Sequence, residues 1–423
     1  MPGPEPARTS ITPMAAAAPT RWRRVAAALG PGLIVMLADN DSGSVITAAQ
    51  SGARWGYRLL ILQFAIIPLL FMVQELAVRL GLVTGKGLVE LIRQRFGKRL
   101  ASLSVITLLA SCFGALVTQM SGLAGIGQLF GIPIWQTVCL LIAATLAMVW
   151  TGSYRSVERV AIFFGMFGLA FVLVAWKAHP DSTQLFAQLR QVPFNDASYL
   201  YLIAANLGTS IMPWTVFYQQ SALIDKGLSS SDLKVARVDT LVGAVICQLL
   251  TSSVLIAAAA TLGQHHGAGA LESVPQVATA FTSALGYTFG RIVFALGLSG
   301  CALVALIVVC LSAAWAVGEA TGARHSLEQH PFDAPLFYGA FVVMLVGAGV
   351  IVCSGVNLIR LSIATGVGNA LLLPLVLGFV YRLARTELPD RYRLKGRYAA
   401  IVALVFALAA AVGLYAGILG ALT

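Results

Sequence analysis

The chain has 423 residues, of which 58% are hydrophobic and 11% charged, with 28 Lys and Arg against 17 Asp and Glu and a net charge of +11. Its mean hydropathy is +0.84. Soluble domains carry about 25% charged residues, so this composition excludes an ordinary soluble domain and indicates an all-α polytopic membrane protein. The six cysteines (112, 139, 247, 301, 310 and 353) lie in or at the ends of apolar runs without metal-ligand spacing, and read as small buried hydrophobes.

In chain order, residues 1–24 are rich in Pro, Ala, Ser and Thr and are expected to form a disordered cytoplasmic tail. A single transporter domain is expected over 25–423. A membrane-crossing helix needs about 20 mostly apolar residues. Eleven runs qualify: 26–50, 57–80, 101–129, 133–151, 157–177, 199–223, 239–262, 288–318, 335–353, 357–381 and 399–422. With the N-terminus inside, the inner loops and their edges hold 21 of the 28 Lys and Arg and the outer ones hold five. That bias is the one expected of a multi-pass protein of the cell membrane with its C-terminus outside. It also places the basic charge beside anionic lipid rather than on nucleic acid.

An odd number of passes fits two five-helix halves of opposite topology, about 26–177 and 199–381, followed by an extra helix at about 399–422. Inverted repeats of this kind bind substrate where the first helix of each half is broken. Span 1 carries Asp39-Asn40-Asp41-Ser42-Gly43-Ser44 in mid-run. Gly43 relaxes the backbone, and Asp, Asn and Ser compete for its hydrogen bonds. In span 6, Gly208 and Pro213 bracket Thr209-Ser210-Ile211-Met212, and an interior proline removes a helix hydrogen bond. Helices 1 and 6 are therefore expected to be interrupted at these points, freeing carbonyls that serve as hard oxygen ligands.

These residues resemble the natural resistance-associated macrophage protein family (NRAMP) of divalent metal transporters. Asp41-Ser42-Gly43-Ser44 is similar to the family's Asp-Pro-Gly-Asn motif, and Gly30-Pro31-Gly32, Thr47 and Gly52-Ala53 keep the register. Gln74 to Lys86 resembles the end of its helix 2. Gly208-Thr209-Ser210-Ile211-Met212-Pro213 resembles its helix 6 motif, Phe130-Gly131-Ile132-Pro133 its turn after helix 3, and Glu319 a glutamate ending helix 8. The resemblance implies the inverted-repeat fold of amino-acid and sodium-coupled transporters. It also implies metal ligation by Asp41, Ser44, Thr209 and Met212.

The departures bear on mechanism. The family's asparagine ligand is Ser44 here, and its alanine with the ligating carbonyl is Thr209. The helix 6 histidine is Trp214, a helix 1 aspartate is Ala48, and the acidic pair of helix 3 falls near Ala115 and Thr118. Hard oxygen ligands and room for retained water suit Mg²⁺, whereas a thioether favours softer metals. The pattern resembles the NRAMP-related magnesium transporter branch. It implies import of Mg²⁺ and Mn²⁺ by alternating access without proton coupling and without a cofactor. The alternatives are a proton-coupled Mn²⁺/Fe²⁺ importer using Asp39 and, more remotely, an amino-acid symporter on the same fold. Metal ions and the bilayer are the only partners implied; neither nucleic acid nor an obligate protein partner is.

Residues that line the path or back the ligands are expected among Asp39, Gly43, Thr47, Asn206, Ser210, Trp214 and Asn369, with helix packing as the competing role. Asp39 and Asp41, about 200° apart on an ideal helix, should face opposite ways. Glu75 and Arg79 should pair at four-residue spacing. Gly122, Gly125 and Gly127 should mark close helix packing, and His265–His266 a solvated loop.

Overall fold

The computed structural model describes residues 30–422 apart from 151–153, 264–270, 272, 325, 328, 330 and 356. The expected tail over 1–24 and the His265–His266 pair lie outside the described residues. The described residues form α-helices joined by short turns, with no strand.

Helix boundaries follow from local chemistry. α1 (Pro31–Asp39) begins with a proline, which needs no N–H partner at the first helical position. Asn40 leaves the helical conformation, and Asp41, in an extended conformation, caps α2 (Ser42–Trp55). Gly56, at φ +59°, turns the chain through a short 3-10 segment into α3 (Leu60–Thr84), which stops at the left-handed Gly85. Next come α4 (Leu88–Phe96), α5 (Lys98–Leu129), α6 (Ile134–Val149), α7 (Tyr154–Gly165), α8 (Ala170–Lys177) and the short α9 (Ser182–Leu189). α10 (Ala197–Ser210) is capped by Asp196, and α11 (Pro213–Asp225) opens on Pro213. The chain ends with α12 (Leu233–Thr261), α13 (Val274–Leu285), α14 (Tyr287–Thr321), α15 (Pro335–Cys353), α16 (Leu358–Thr386) and α17 (Gly396–Ala421).

Nine helical stretches among the described residues are long and apolar enough to cross a membrane, and Ile134–Val149 is a shorter apolar helix. The first of the nine, Ser42–Thr84, contains the Gly56 turn. The eleven runs read from the sequence divide it there and count Ile134–Val149 as a pass. The division has a spatial basis. Gly52 lies against Ala258 and Ala259 of α12, and by Glu75 the chain has returned to Arg237 at the start of the same helix.

α1 and α2 run parallel to α12. The Asp239 carboxylate accepts the N–H groups of Gly30, Gly32 and Leu33 at 3.2, 2.8 and 3.3 Å, so a buried side chain of α12 caps the first turn of α1. Those N–H groups have no partner within the helix, and a carboxylate there is favoured by the helix dipole. Further along, Met36 meets Gly243, Asp39 meets Cys247 and Asn40 meets Thr251. α10 crosses α16 backbone to backbone, because Gly208 has no Cβ to strike the Gly366 carbonyl and the Ala370 N–H. The outside of the bundle is apolar, with exposed Leu140, Phe163, Val343 and Leu404, as lipid contact requires.

The expected Glu75–Arg79 pair forms at 2.6 Å. The three glycines singled out in α5 do mark close packing: Gly122 faces Ser42, Gly125 faces Val274 and Gly127 faces Thr137.

Candidate functional site at the two helix breaks

Both expected interruptions are present, but each is narrower than the sequence suggested. In the first pass only Asn40 and Asp41 lie between helices; Ser42, Gly43 and Ser44 already form the first turn of α2. Gly43 therefore does not unwind the chain. A Cβ on it would stand 3.2 Å from an Asp41 carboxylate oxygen and from Thr118, so its role is to let α5 and the carboxylate approach. In the second pass only Ile211 and Met212 are non-helical. Thr209 and Ser210 belong to α10, Gly208 is a packing glycine, and Pro213 begins α11 rather than breaking a helix.

The two breaks meet at Ser44. Its hydroxyl oxygen lies 2.8 Å from the Asp39 carbonyl and 3.0 Å from the Thr209 carbonyl. One hydroxyl proton serves two carbonyl acceptors, which leaves an excess of oxygen lone pairs. The Asp41 carboxylate adds to it, with Oδ1 accepting the Ser44 N–H at 2.8 Å. Asp39, Asp41, Ser44, Thr209 and Met212 are each no more than 4% exposed. Thr209 turns its own hydroxyl to the Asn206 carbonyl at 3.3 Å, so the backbone carbonyl, not the side chain, faces Ser44. Met212 caps α11 in an extended conformation, and its carbonyl is taken by the Thr215 hydroxyl at 2.8 Å.

One residue holding this cluster was not anticipated. Gln119 of α5 donates Nε2–H to Asp41 Oδ2 at 2.5 Å and accepts the Ser42 N–H on Oε1 at 3.0 Å. A single amide thus fixes both the carboxylate and the start of α2. The available signal was a glutamine inside an apolar run, since buried amides need partners.

Asp39 and Asp41 do diverge. Asp41 faces α5, whereas Asp39 Oδ2 faces α12, 3.5 Å from Cys247 Sγ, and Asp39 Oδ1 has no hydrogen-bond partner. Asn40 accepts from Thr251 at 3.0 Å and donates to Cys301 Sγ at 3.5 Å. Two cysteines read from the sequence as bland therefore flank the first break.

The remaining candidates separate. Asn206 is a packing hub: it accepts from Gln63 at 2.6 Å and donates to Ser51 at 2.9 Å, tying α10 to α3 and α2. Thr47 presents a buried hydroxyl without a partner, and its carbonyl accepts from Ser51. Ser210 is buried at the end of α10, and Trp214 in the first turn of α11 has a buried, unpartnered indole N–H. Asn369 pairs with Ser111 of α5 at 2.7 Å and takes no part in the breaks. Among the described residues, no three of His, Cys, Asp and Glu converge as a metal cage. The arrangement is one carboxylate amid neutral oxygens.

The chain is similar to known transporters in sequence and in fold. A divalent metal cation transporter MntH from Verminephrobacter eiseniae is 27% identical over 87% of this chain and 84% of its own length. The MntH of Deinococcus radiodurans is 29% identical over 83% and 84%. The Eremococcus coleocola manganese transporter, solved with an aromatic bis-isothiourea compound, superimposes with a TM-score of 0.73 at 18% identity, covering 95% of this chain and 88% of that one. A nucleobase-cation-symport-1 family transporter follows with a TM-score of 0.59 at 13% identity, covering 92% and 90%. These structures establish a shared fold. The model of the natural resistance-associated macrophage protein-like family matches residues 32–419, and the chain belongs to that family.

Proposed function

We propose that the protein carries divalent cations, Mg²⁺ and Mn²⁺, into the cell by alternating access between two inverted five-helix repeats, without proton coupling. The carrying observation is the meeting of the two breaks at Ser44, where the Asp41 carboxylate and the Asp39 and Thr209 carbonyls gather with one hydroxyl proton between the carbonyls. Asp41 supplies charge, Ser44 and the Thr209 carbonyl supply oxygen, and Met212 supplies sulfur. A single carboxylate suits a cargo that must leave again, and neutral oxygens leave room for the water that Mg²⁺ retains. The manganese transport named for the Eremococcus relative and the metal transport named for the MntH relatives support the substrate class.

Cavities open at the two ends of the bundle, and neither is lined by residues of the breaks. One of about 400 Å³ is lined by Gln50, Arg54 and Asn357, and the other, of about 440 Å³, by Glu90, Asp225 and Glu319. The acidic cavity lies at the end carrying the basic loops, which the charge bias assigns to the cytoplasm, so it would receive the released cation.

Proton coupling needs a chain of titratable groups. None of the five histidines falls within a membrane-crossing run. Of the buried carboxylates, Glu75 is engaged by Arg79 and Arg237, Asp239 caps α1, and Glu319 accepts from Ser221 and the Val89 N–H. Among the described residues, Asp39 and Asp41 alone remain near the breaks. The membrane potential contributes about 2.3 kcal/mol per charge per 100 mV, or roughly 4.6 kcal/mol for a divalent ion, so inward transport needs no proton. The test is flux into proteoliposomes loaded with a Mg²⁺ or Mn²⁺ indicator and a pH indicator. Potential-driven entry of both metals at constant lumenal pH is expected. Mn²⁺ entry without Mg²⁺ entry refutes the substrate reading. Metal-dependent acidification refutes the uncoupled one in favour of proton-coupled transport through Asp39, whose Oδ1 has no partner.

A further inference from the structure

A second polar cavity, unrelated to the helix breaks, opens at the same end of the bundle as the basic loops. It has a volume of about 500 Å³ and gathers five cations from three separate segments: Arg79 of α3, Lys234 and Arg237 of α12, and Arg391 and Arg393 before α17, with Ser230 beside them. Scattered positive charge on inner loops satisfies the orientation rule without any such convergence.

The floor of the cavity is rigid. Glu75 receives Arg79 through both guanidinium Nη2 (2.6 Å) and Nε (3.0 Å), and it receives Arg237 Nε at 2.6 Å. Arg79 also donates to the Tyr392 carbonyl at 3.3 Å. One carboxylate thus holds two guanidinium groups, leaving a net positive floor in which the Arg79 side chain is 8% exposed. The rim is under-neutralised too. Arg393 pairs at 2.9 Å with Asp390, whose side chain is 79% exposed, and such exposed pairs neutralise weakly. Arg391 lies against the Tyr392 ring, 5.6 Å from its centroid. Guanidinium and ammonium groups converging on a concavity with a hydroxyl are the donor set that recognises phosphate oxygens.

We propose that this cavity binds a phosphate-bearing anion and so clasps α3, α12 and the segment before α17 together. A membrane phospholipid headgroup and a soluble phosphate present the same chemistry, and the experiment separates them. Purified full-length protein is examined by native mass spectrometry from nanodiscs of phosphatidylglycerol and phosphatidylcholine, and by thermal unfolding in detergent with inorganic phosphate titrated against chloride at constant ionic strength. The variant K234Q/R391Q removes two rim cations that make no contact with Glu75. The variant R382Q/R397Q removes equal charge from exposed positions outside the cavity.

Wild type and R382Q/R397Q should retain one phosphatidylglycerol, or show saturable stabilisation by phosphate, with at least tenfold weaker retention or affinity in K234Q/R391Q. Retention of phosphatidylglycerol alone assigns the lipid headgroup, and a response to phosphate alone assigns a soluble ligand. No saturable binding of either probe to wild type, or equal losses in the two variants, overturns the proposal.

Discussion

Replacement of Gln119 by methionine isolates the second layer of the candidate site. Methionine has a similar length and packs in apolar surroundings, so volume is nearly conserved. Two hydrogen bonds disappear: the 2.5 Å bond to the Asp41 carboxylate and the 3.0 Å bond from the Ser42 N–H. A bond to a charged group contributes about 1.5–3 kcal/mol, and stranding a buried N–H costs about 1–3 kcal/mol. The stability loss is therefore bounded at roughly 2.5–6 kcal/mol. The helix itself should survive, because Asp41 keeps its capping bond from the Ser44 N–H. What changes is the orientation of the carboxylate, now held by one donor instead of two. Loss of a partner that orients a metal ligand typically costs 10–100-fold in affinity, so the Mn²⁺ Kd by titration calorimetry and the transport KM in proteoliposomes should both rise by that factor. A folded Gln119→Met protein whose Kd and KM stay within twofold of wild type would falsify the assignment of Gln119 as the residue that orients Asp41.

Three further substitutions probe separate parts of the argument. Asp41→Ala should abolish metal-dependent flux, by more than about 100-fold, while losing both the α2 cap, about 1 kcal/mol, and the bond from Gln119, about 1.5–3 kcal/mol; residual flux near wild type would remove Asp41 from the path. Asp239→Leu should expose the first turn of α1 by removing the acceptor for Gly30, Gly32 and Leu33. Hydrogen exchange at these amides should quicken at least tenfold, and unchanged protection would mean that the cap contributes little. Gly208→Ala should drive a methyl group into the Gly366 carbonyl and lower the melting temperature through at least 1–3 kcal/mol of overpacking; an unaltered melting temperature would show that α10 and α16 separate at little cost.

The sequence carries the outline of this molecule because lipid imposes it. Long apolar runs and an acidic stretch in mid-run are local signals, and the structure has both apolar helices and a helix break at that stretch. The helix breaks were legible as regions but not residue by residue, and the reason is physical. Glycine was read as a point of unwinding at Gly43 and Gly208, yet both lie within helices, where the missing Cβ admits a neighbouring carboxylate and a neighbouring backbone. A glycine needed for flexibility and one needed for close approach are identical in sequence; only the partner distinguishes them, and for Gly208 that partner is Gly366. Pro213 shows the converse ambiguity, since a proline inside an apolar run marks either a kink or a helix start, and here it is the first residue of α11.

The partners of Gln119 were hidden for a related reason. Its partners Asp41 and Ser42 lie 78 and 77 residues away, and nothing near it in the chain announces them. The opposed facing of Asp39 and Asp41, expected from ideal helix geometry, is present, but it arises differently. Asn40 and Asp41 have left the helix, so it is the break itself that delivers Asp41 to Gln119 while Asp39, the last residue of α1, stays beside Cys247. One carboxylate therefore has its acceptor oxygens oriented by two donors, while the other keeps an oxygen without a partner in the buried centre of the bundle. A buried carboxylate oxygen in that condition is costly unless a cation visits it, so under the proposed function the two aspartates would differ in how ready each is to hold the cargo. On that reading Asp41 is preorganised to bind, and Asp39 would gain most from a cation already close by.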